Sequence, residues 1–170
     1  MKTCRRPFAP SLIAAAIAAS LMAAAPLVAP GALVGQQYGA SIAVGGQQVL
    51  VGEPGAGALP GVVYVYGRAG GAWGEVGRLS VSAAPGPPDG FGRALAAEGD
   101  LVMVGAPAWE DGAGAVFVYR ADGRGGWAEA GRLSSGVPGG GFGSSVSLDG
   151  GAVLVSAPGE DEGVGAVYLF

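Results

Sequence analysis

The chain has 170 residues with a formal net charge of −4, and its 35 glycines and 12 prolines far exceed the ordinary combined usage of roughly one residue in eight. Half of the residues are apolar and 13% are charged, which excludes a solvated chain of the low-hydrophobicity, high-charge kind. Histidine and asparagine are absent and Cys4 is the only cysteine, so histidine-based catalysis, Cys/His zinc sites and N-linked glycosylation are excluded as well.

Lys2, Arg5 and Arg6 precede an apolar run from Leu12 to Val28, the order of a secretory leader. This predicts a signal peptide over residues 1–32, cut between Ala25 and Leu33 and excluded from the fold. The alternative is an uncleaved anchor, because the apolar stretch is close to the shortest that crosses a bilayer. After cleavage no membrane span is expected. Cys4 lies before the apolar run, which argues against a lipid-modified mature terminus. Removing the leader's three cations from the nine leaves six arginines against 13 acidic side chains, a balance of −7. With no basic patch there is nothing to release counterions from a phosphate backbone, so nucleic acid is not an expected partner. The exported part has no cysteine, and its stability must come from burial and backbone pairing without disulfides. The expected location is secreted, extracellular or cell-surface, with the periplasm as the alternative. One lysine, no asparagine and abundant Gly, Ala, Arg and Pro further suggest a GC-rich bacterial genome.

The remainder, residues 33–170, is one unit written nearly three times, which has to be recognised before any strand is assigned. Tyr38-Gly39, Phe91-Gly92 and Phe142-Gly143 stand 53 and 51 residues apart, and Pro54, Pro107 and Pro158 repeat the same offsets. The segments beginning at Gly61, Gly114 and Gly165 follow in register, and Trp73 and Trp127 each lead to a Gly-Arg-Leu-Ser. The units span 38–90, 91–141 and 142–170, the last incomplete.

Each complete unit reads as four short strands. The first, Phe91 to Ala97 or Phe142 to Leu148, carries small side chains that let backbones crowd together. The second is a continuous apolar run, Val49 to Val51, Leu101 to Val104 or Val153 to Val155, as expected of a strand covered on both faces. The third alternates β-branched and aromatic residues, as in Val62 to Tyr66. The fourth, Trp127 to Leu133, is the most polar and belongs at an exposed edge. Strands one and two are joined by Gly45-Gly46, Glu98-Gly99 and Asp149-Gly150, tight links in which glycine allows positive φ. Longer Gly/Pro/acid loops join strands two and three, and a stretch such as Ala83 to Gly90 carries the chain to the next unit. Four antiparallel strands per unit, crowded at the start and charged at the end, predict an all-β array of propeller-type blades, two complete and one partial. One chain of this length is not expected to close a ring.

Phe91-Gly92 followed by Val104-Gly105-Ala106-Pro107, and Phe142-Gly143 followed by Ser156-Ala157-Pro158, resemble the FG-GAP repeat of integrin α-subunit propellers and of many exported bacterial proteins. Tyr38-Gly39 with Gly52-Glu53-Pro54 is a degenerate copy, so the resemblance covers residues 38–170. It implies a propeller blade array in a secreted or surface protein, engaged in adhesion or ligand binding, with no inherent catalytic activity.

Integrin-type repeats often carry a calcium loop between the first two strands, but here short glycine turns leave no room for an oxygen cage. The acidic cluster Glu160-Asp161-Glu162, with Glu110-Asp111 matching Asp161-Glu162 at the 51-residue offset, is the remaining place where carboxylates gather. Its spacing does not alternate as a cation loop's does, so a solvated loop is preferred over a weak calcium site. The same carboxylates could form the acid/base pair of a sugar hydrolase, which needs two groups facing one substrate. Recurrence in successive blades places them around a ring instead, and unit one has Gly57-Ala58 there. Trp73 and Trp127 are read as covers for the neighbouring blade in preference to sugar platforms. Ser144, Ser145 and Ser147 have no base to activate them. The glycine clusters lack the lysine of a phosphate loop and are turns. No catalytic, cofactor-binding or metal residue is therefore assigned, and no cofactor is expected.

The expected function is a non-catalytic protein- or glycan-binding adhesion module; the alternative is a structural propeller segment of a larger exported protein whose activity lies elsewhere. Because closed propellers need about four to eight blades, the chain is expected to be a fragment, to self-associate through unpaired blade edges, or to form an open arc.

Overall fold

Among the described residues, the apolar alternations of the repeat fold into eleven strands in three antiparallel sheets. The computed structural model describes Leu27 and residues 37–55, 59–81 and 87–170. Apart from Leu27, the leader and its cut lie outside the described residues, as does part of the Ala83 to Gly90 connection. Among the described residues no helix is long and apolar enough to cross a membrane.

Sheet one contains β1 (Ser41–Gly45), β2 (Gln48–Glu53), β3 (Val62–Ala69) and β4 (Ala72–Leu79), in that spatial order. Sheet two repeats it with β5 (Ala94–Glu98), β6 (Leu101–Ala106), β7 (Ala115–Ala121) and β8 (Trp127–Leu133). Sheet three has β9 (Ser145–Asp149), β10 (Ala152–Ala157) and β11 (Ala166–Leu169), with no fourth strand among the described residues. The apolar second strand is interior in every sheet and the charged fourth strand is the edge in sheets one and two, as the burial patterns of the sequence require. Gly46, Gly99 and Gly150 have φ of +59°, +58° and +57°, which is why each first hairpin closes over two residues. The register of β3 on β4 shifts between Val65 and Tyr66, and that of β7 on β8 shifts between Val118 and Tyr119, so a bulge recurs at the same place in both units.

One boundary differs from the sequence reading. The first strands of sheets two and three begin at Ala94 and Ser145, not at Phe91 and Phe142. The aromatic-glycine pairs form a turn ahead of the strand, with φ of +86°, +88° and +91° at Gly39, Gly92 and Gly143. In each unit that glycine's N–H donates to its own second strand, Gly39 to the Gly52 carbonyl (2.9 Å), Gly92 to Gly105 (3.0 Å) and Gly143 to Ser156 (3.0 Å). The turn delivers the aromatic ring to the interior: Phe91 and Phe142 are fully buried, and Tyr38, Phe91 and Phe142 meet the third-strand aromatics Tyr64, Phe117 and Tyr168 edge to face at 5.4, 5.6 and 5.3 Å.

The sheets stack flank to flank with the first strands adjacent. Leu50, Val63 and Val65 of sheet one pack against Val102, Val104, Phe117 and Tyr119 of sheet two. Met103, Val116 and Val118 on the other face of sheet two pack against Val153, Val155 and Tyr168 of sheet three. Backbones of neighbouring units approach so closely that glycine is obligatory at two positions per junction. A Cβ on Gly52 or Gly61 would lie 2.1 Å from the Gly92 carbonyl oxygen or 2.0 Å from that of Phe91. At the second junction, a Cβ on Gly105 or Gly114 would lie 2.1 Å from the Gly143 carbonyl oxygen or 2.2 Å from that of Phe142.

Gly105→Ala is expected to lower the unfolding free energy by about 3 kcal/mol, the upper range for an overpacked interior site. Gly131→Ala, whose Cβ would enter open space in β8, is expected to change it by less than about 0.5 kcal/mol. Urea midpoints of the two variants check the difference.

Candidate binding face

At the junction of sheets one and two, the loop between β6 and β7 and the connection from sheet one to sheet two frame a cleft of about 530 Å³. Pro60, Pro87 and Pro88 form one wall, and Trp109, Glu110 and Asp111 form the other. The walls are held by Asp89, a buried carboxylate whose Oδ1 accepts hydrogen bonds from the N–H groups of Gly61 (3.0 Å) and Phe91 (2.9 Å). Its carbonyl accepts from Ala108 N–H at 3.1 Å. Asp89 thus joins the third-strand start of unit one, the aromatic-glycine turn of unit two and the loop after Pro107. All these partners are backbone groups, so its part is to shape the cleft.

Trp109 rests edge to face on Phe117 at 5.3 Å, with the Arg132 guanidinium 5.8 Å from the indole centroid. Arg132 Nη1 also lies 3.5 Å from Glu110 Oε1, an exposed ion pair worth at most a fraction of a kcal/mol by itself, on the order of 0.5. The indole Nε1 is buried and has no hydrogen-bond partner among the described residues. Glu110 and Asp111 carry φ of +48° and +57°, a left-handed pair at the tip of a single helical turn over Trp109–Gly112. Asp161 and Glu162 repeat the pair at +51° and +57° in the matching turn of sheet three. Side chains other than glycine rarely occupy that region, and each such residue costs on the order of 1 kcal/mol.

The acidic triplet does not act as one group. Glu160 turns inward and is buried, accepting a hydrogen bond from the Tyr168 hydroxyl at 2.5 Å, whereas Asp161 and Glu162 are exposed. Glu160 occupies the position of Trp109 and Tyr168 that of Phe117, so the pair Glu160–Tyr168 is the polar counterpart of Trp109–Phe117. Among the described residues no group of three His, Cys, Asp or Glu side chains is placed to hold a metal ion. Ser144 Oγ donates to the Gly141 carbonyl at 2.7 Å, and Ser145 and Ser147 are exposed.

The two rim tryptophans differ. Trp127 does cover the preceding sheet: its Nε1 donates to Gln48 Oε1 at 2.7 Å, and its ring lies against Gly45. Trp73 is exposed and has the Arg68 guanidinium 5.5 Å from its ring. On the outer face of sheet one, Tyr38 donates to the Tyr66 hydroxyl at 2.8 Å. Burial, aided by that bond, pushes the Tyr38 phenol far above its usual range. Burial likewise pushes Tyr119 up to about 12, with Glu129 adding to it. Burial raises the Glu53 carboxyl above its ordinary 4.5, although the Tyr64 phenol and Arg78 oppose the shift.

Sequence reasoning passed over Trp109 and Asp89. The available signals were an aromatic residue two places beyond the repeated proline and an aspartate immediately ahead of Gly90-Phe91-Gly92.

A family model for the FG-GAP repeat matches residues 127–170. No curated protein matches the chain. The match takes in β8 and the whole of unit three, and the aromatic-glycine hydrogen bond of unit three recurs in units two and one.

Asp111→Gly is expected to stabilise the chain by about 1 kcal/mol, since glycine adopts the left-handed conformation without penalty; thermal unfolding monitored at the strand band measures it. For Glu53, a carboxyl raised in the folded state binds its proton more tightly there than in the unfolded chain. The stability contributed by that proton is complete below the unfolded value and is lost as pH rises through the folded one. Wild type is therefore expected to lose stability relative to Glu53→Gln as pH is raised from about 4 to about 7, read from paired urea titrations.

Proposed function

We propose that this chain, whose units are FG-GAP repeats in a propeller-type arrangement, is a non-catalytic interaction module of a secreted or cell-surface protein that binds a protein or glycan ligand on its loop face. The cleft at the first junction carries this reading. It is concave, walled by three prolines and an indole, and edged by carboxylates in a strained turn, a combination of apolar surface with few oriented polar groups that suits ligand recognition. The paired carboxylates support binding in preference to hydrolysis. Glu110-Asp111 and Asp161-Glu162 stand in matching turns of different sheets and do not face one another across a single cleft.

The fluorescently labelled chain is expected to bind fixed cells saturably. Pretreating the cells with glycosidases removes binding to a glycan, and pretreating them with proteases removes binding to a protein. Glu110→Ser with Asp111→Gly, which removes both carboxylates from the cleft rim, should weaken binding at least about tenfold while circular dichroism shows the strands retained. Absence of saturable binding, or binding indifferent to that double variant, would overturn the proposal.

A further inference from the structure

The ends of the strands away from the loop cleft carry a second concave region, between the hairpins of sheets one and two. Trp127, the first residue of β8, is held there by its edge. Its Nε1 donates to Gln48 Oε1 at 2.7 Å, Gln48 Nε2 donates to the Gly125 carbonyl at 2.7 Å, and a Cβ on Gly45 would lie 3.4 Å from Cη2 of the indole and 3.5 Å from Cζ2. The hairpin that bears the ring is fixed in turn. Asp122 Oδ1 accepts from the N–H groups of Arg124 (2.7 Å) and Gly126 (2.9 Å), and the Asp122 N–H donates to the Gly126 carbonyl at 3.0 Å. Held in this way, the indole borders two hollows. One, of about 410 Å³, is lined by Gln47, Gln48 and Asp100 with the glycines of both first hairpins; the other, of about 180 Å³, is lined by Val76, Arg78 and Asp122.

We propose that this region is a saccharide-binding site, in which the Trp127 indole is the platform for the apolar face of a neutral sugar ring. Packing of the sheets does not by itself call for the arrangement. At the second junction Glu98 stands where Gly45 does and accepts from the Gly150 N–H at 3.0 Å, so hairpins of neighbouring units meet there without an indole. A pyranose needs a flat apolar surface for its C–H face and groups around it that exchange hydrogen bonds with its hydroxyls. The indole supplies the first. Gln47 and Gln48 carry side-chain amides, which donate and accept as a hydroxyl does, and Asp100 adds carboxylate acceptors.

Charge selects a neutral ligand. Among the described residues that line the two hollows, Asp100 is paired with Arg120 at 2.6 Å, Arg78 with Glu75 at 2.6 Å, and the Asp122 carboxylate is bound by backbone N–H groups. A sialic acid, a uronic acid or an amino sugar finds no free counter-charge there and would lose hydration without replacement. The clamp of Gln48 between Gly125 and Trp127 sets the ring before a ligand arrives, so little side-chain freedom is lost on binding. The site lies at the other end of β7 from the loop cleft and does not rest on the reading of that cleft.

Calorimetric titration of the full chain with maltotetraose, cellotetraose, mannotetraose and galactotetraose tests the proposal. At least one of these is expected to bind saturably, in the millimolar range or tighter. Ala121 is exposed, lines the larger hollow and pairs with Trp127 across β7 and β8, so Ala121→Leu lays an alkyl group beside the indole and should weaken that binding at least about tenfold. Gln47→Ala with Asp100→Ala, at two exposed positions, should do the same by removing hydrogen-bond partners. Strand circular dichroism checks that each variant is folded. Glu110→Ser with Asp111→Gly should leave saccharide binding unchanged, which separates this site from the loop cleft. Three results would overturn the proposal: no saturable binding of any of the four sugars, full-strength binding by either folded hairpin variant, or loss of binding in the loop variant.

Discussion

The stacking of the three sheets depends on a double use of one glycine position in units one and two. The carbonyl of Gly52 or Gly105 receives the N–H of the aromatic-glycine turn in its own unit, and the Cα lies directly under the corresponding turn of the next unit. A side chain at either glycine would collide with backbone, which cannot yield as a flexible side chain can. The hydrogen bond therefore fixes where the aromatic ring enters the sheet, and the missing side chain fixes how near the next sheet can come. Ring entry and sheet spacing are set at a single atom pair.

That constraint explains the unusual composition. Glycine loses more backbone freedom on folding than other residues and offers nothing to bury. The loss is offset at the junctions, where the close approach brings two apolar faces together and removes Leu50, Val63, Val102, Val104 and Val116 from water entirely. Each is worth about 2 kcal/mol or more on full burial. A single three- or four-stranded sheet encloses no interior of its own, so the stability of any one unit is held by its neighbours. With no cysteine after Cys4, no covalent link substitutes for that mutual burial.

Much of this was legible in the chain's own self-similarity. Offsets of 53 and 51 residues align the hairpin glycines, the apolar second strands and the rim tryptophans, and burial in the structure follows those alignments. What pattern could not supply was tertiary. Phe91 and Phe142 read as strand residues because they precede small and apolar side chains, but a hydrogen bond to another strand, invisible to local spacing, turns them into the bend before it. Glu160 read as one of three solvated acids. Its burial depends on a tyrosine eight residues ahead whose hydroxyl meets the carboxylate only once β11 is laid against β10. Trp127 covers its neighbour as the repeat suggests. Trp73, identical in type and position within the unit, is exposed, since among the described residues no sheet lies on that side of sheet one.

The exchange of Trp109–Phe117 in one unit for Glu160–Tyr168 in the next shows how such an array diversifies. Both pairs brace the loop beyond the second strand against the third, one through ring edges and the other through a short polar bond, and the strands beneath keep their register. Two coordinated substitutions thus rewrite the mouth of one junction from aromatic to acidic while the scaffold is left untouched. A duplicated unit can thus change the chemistry beside one junction independently of its siblings.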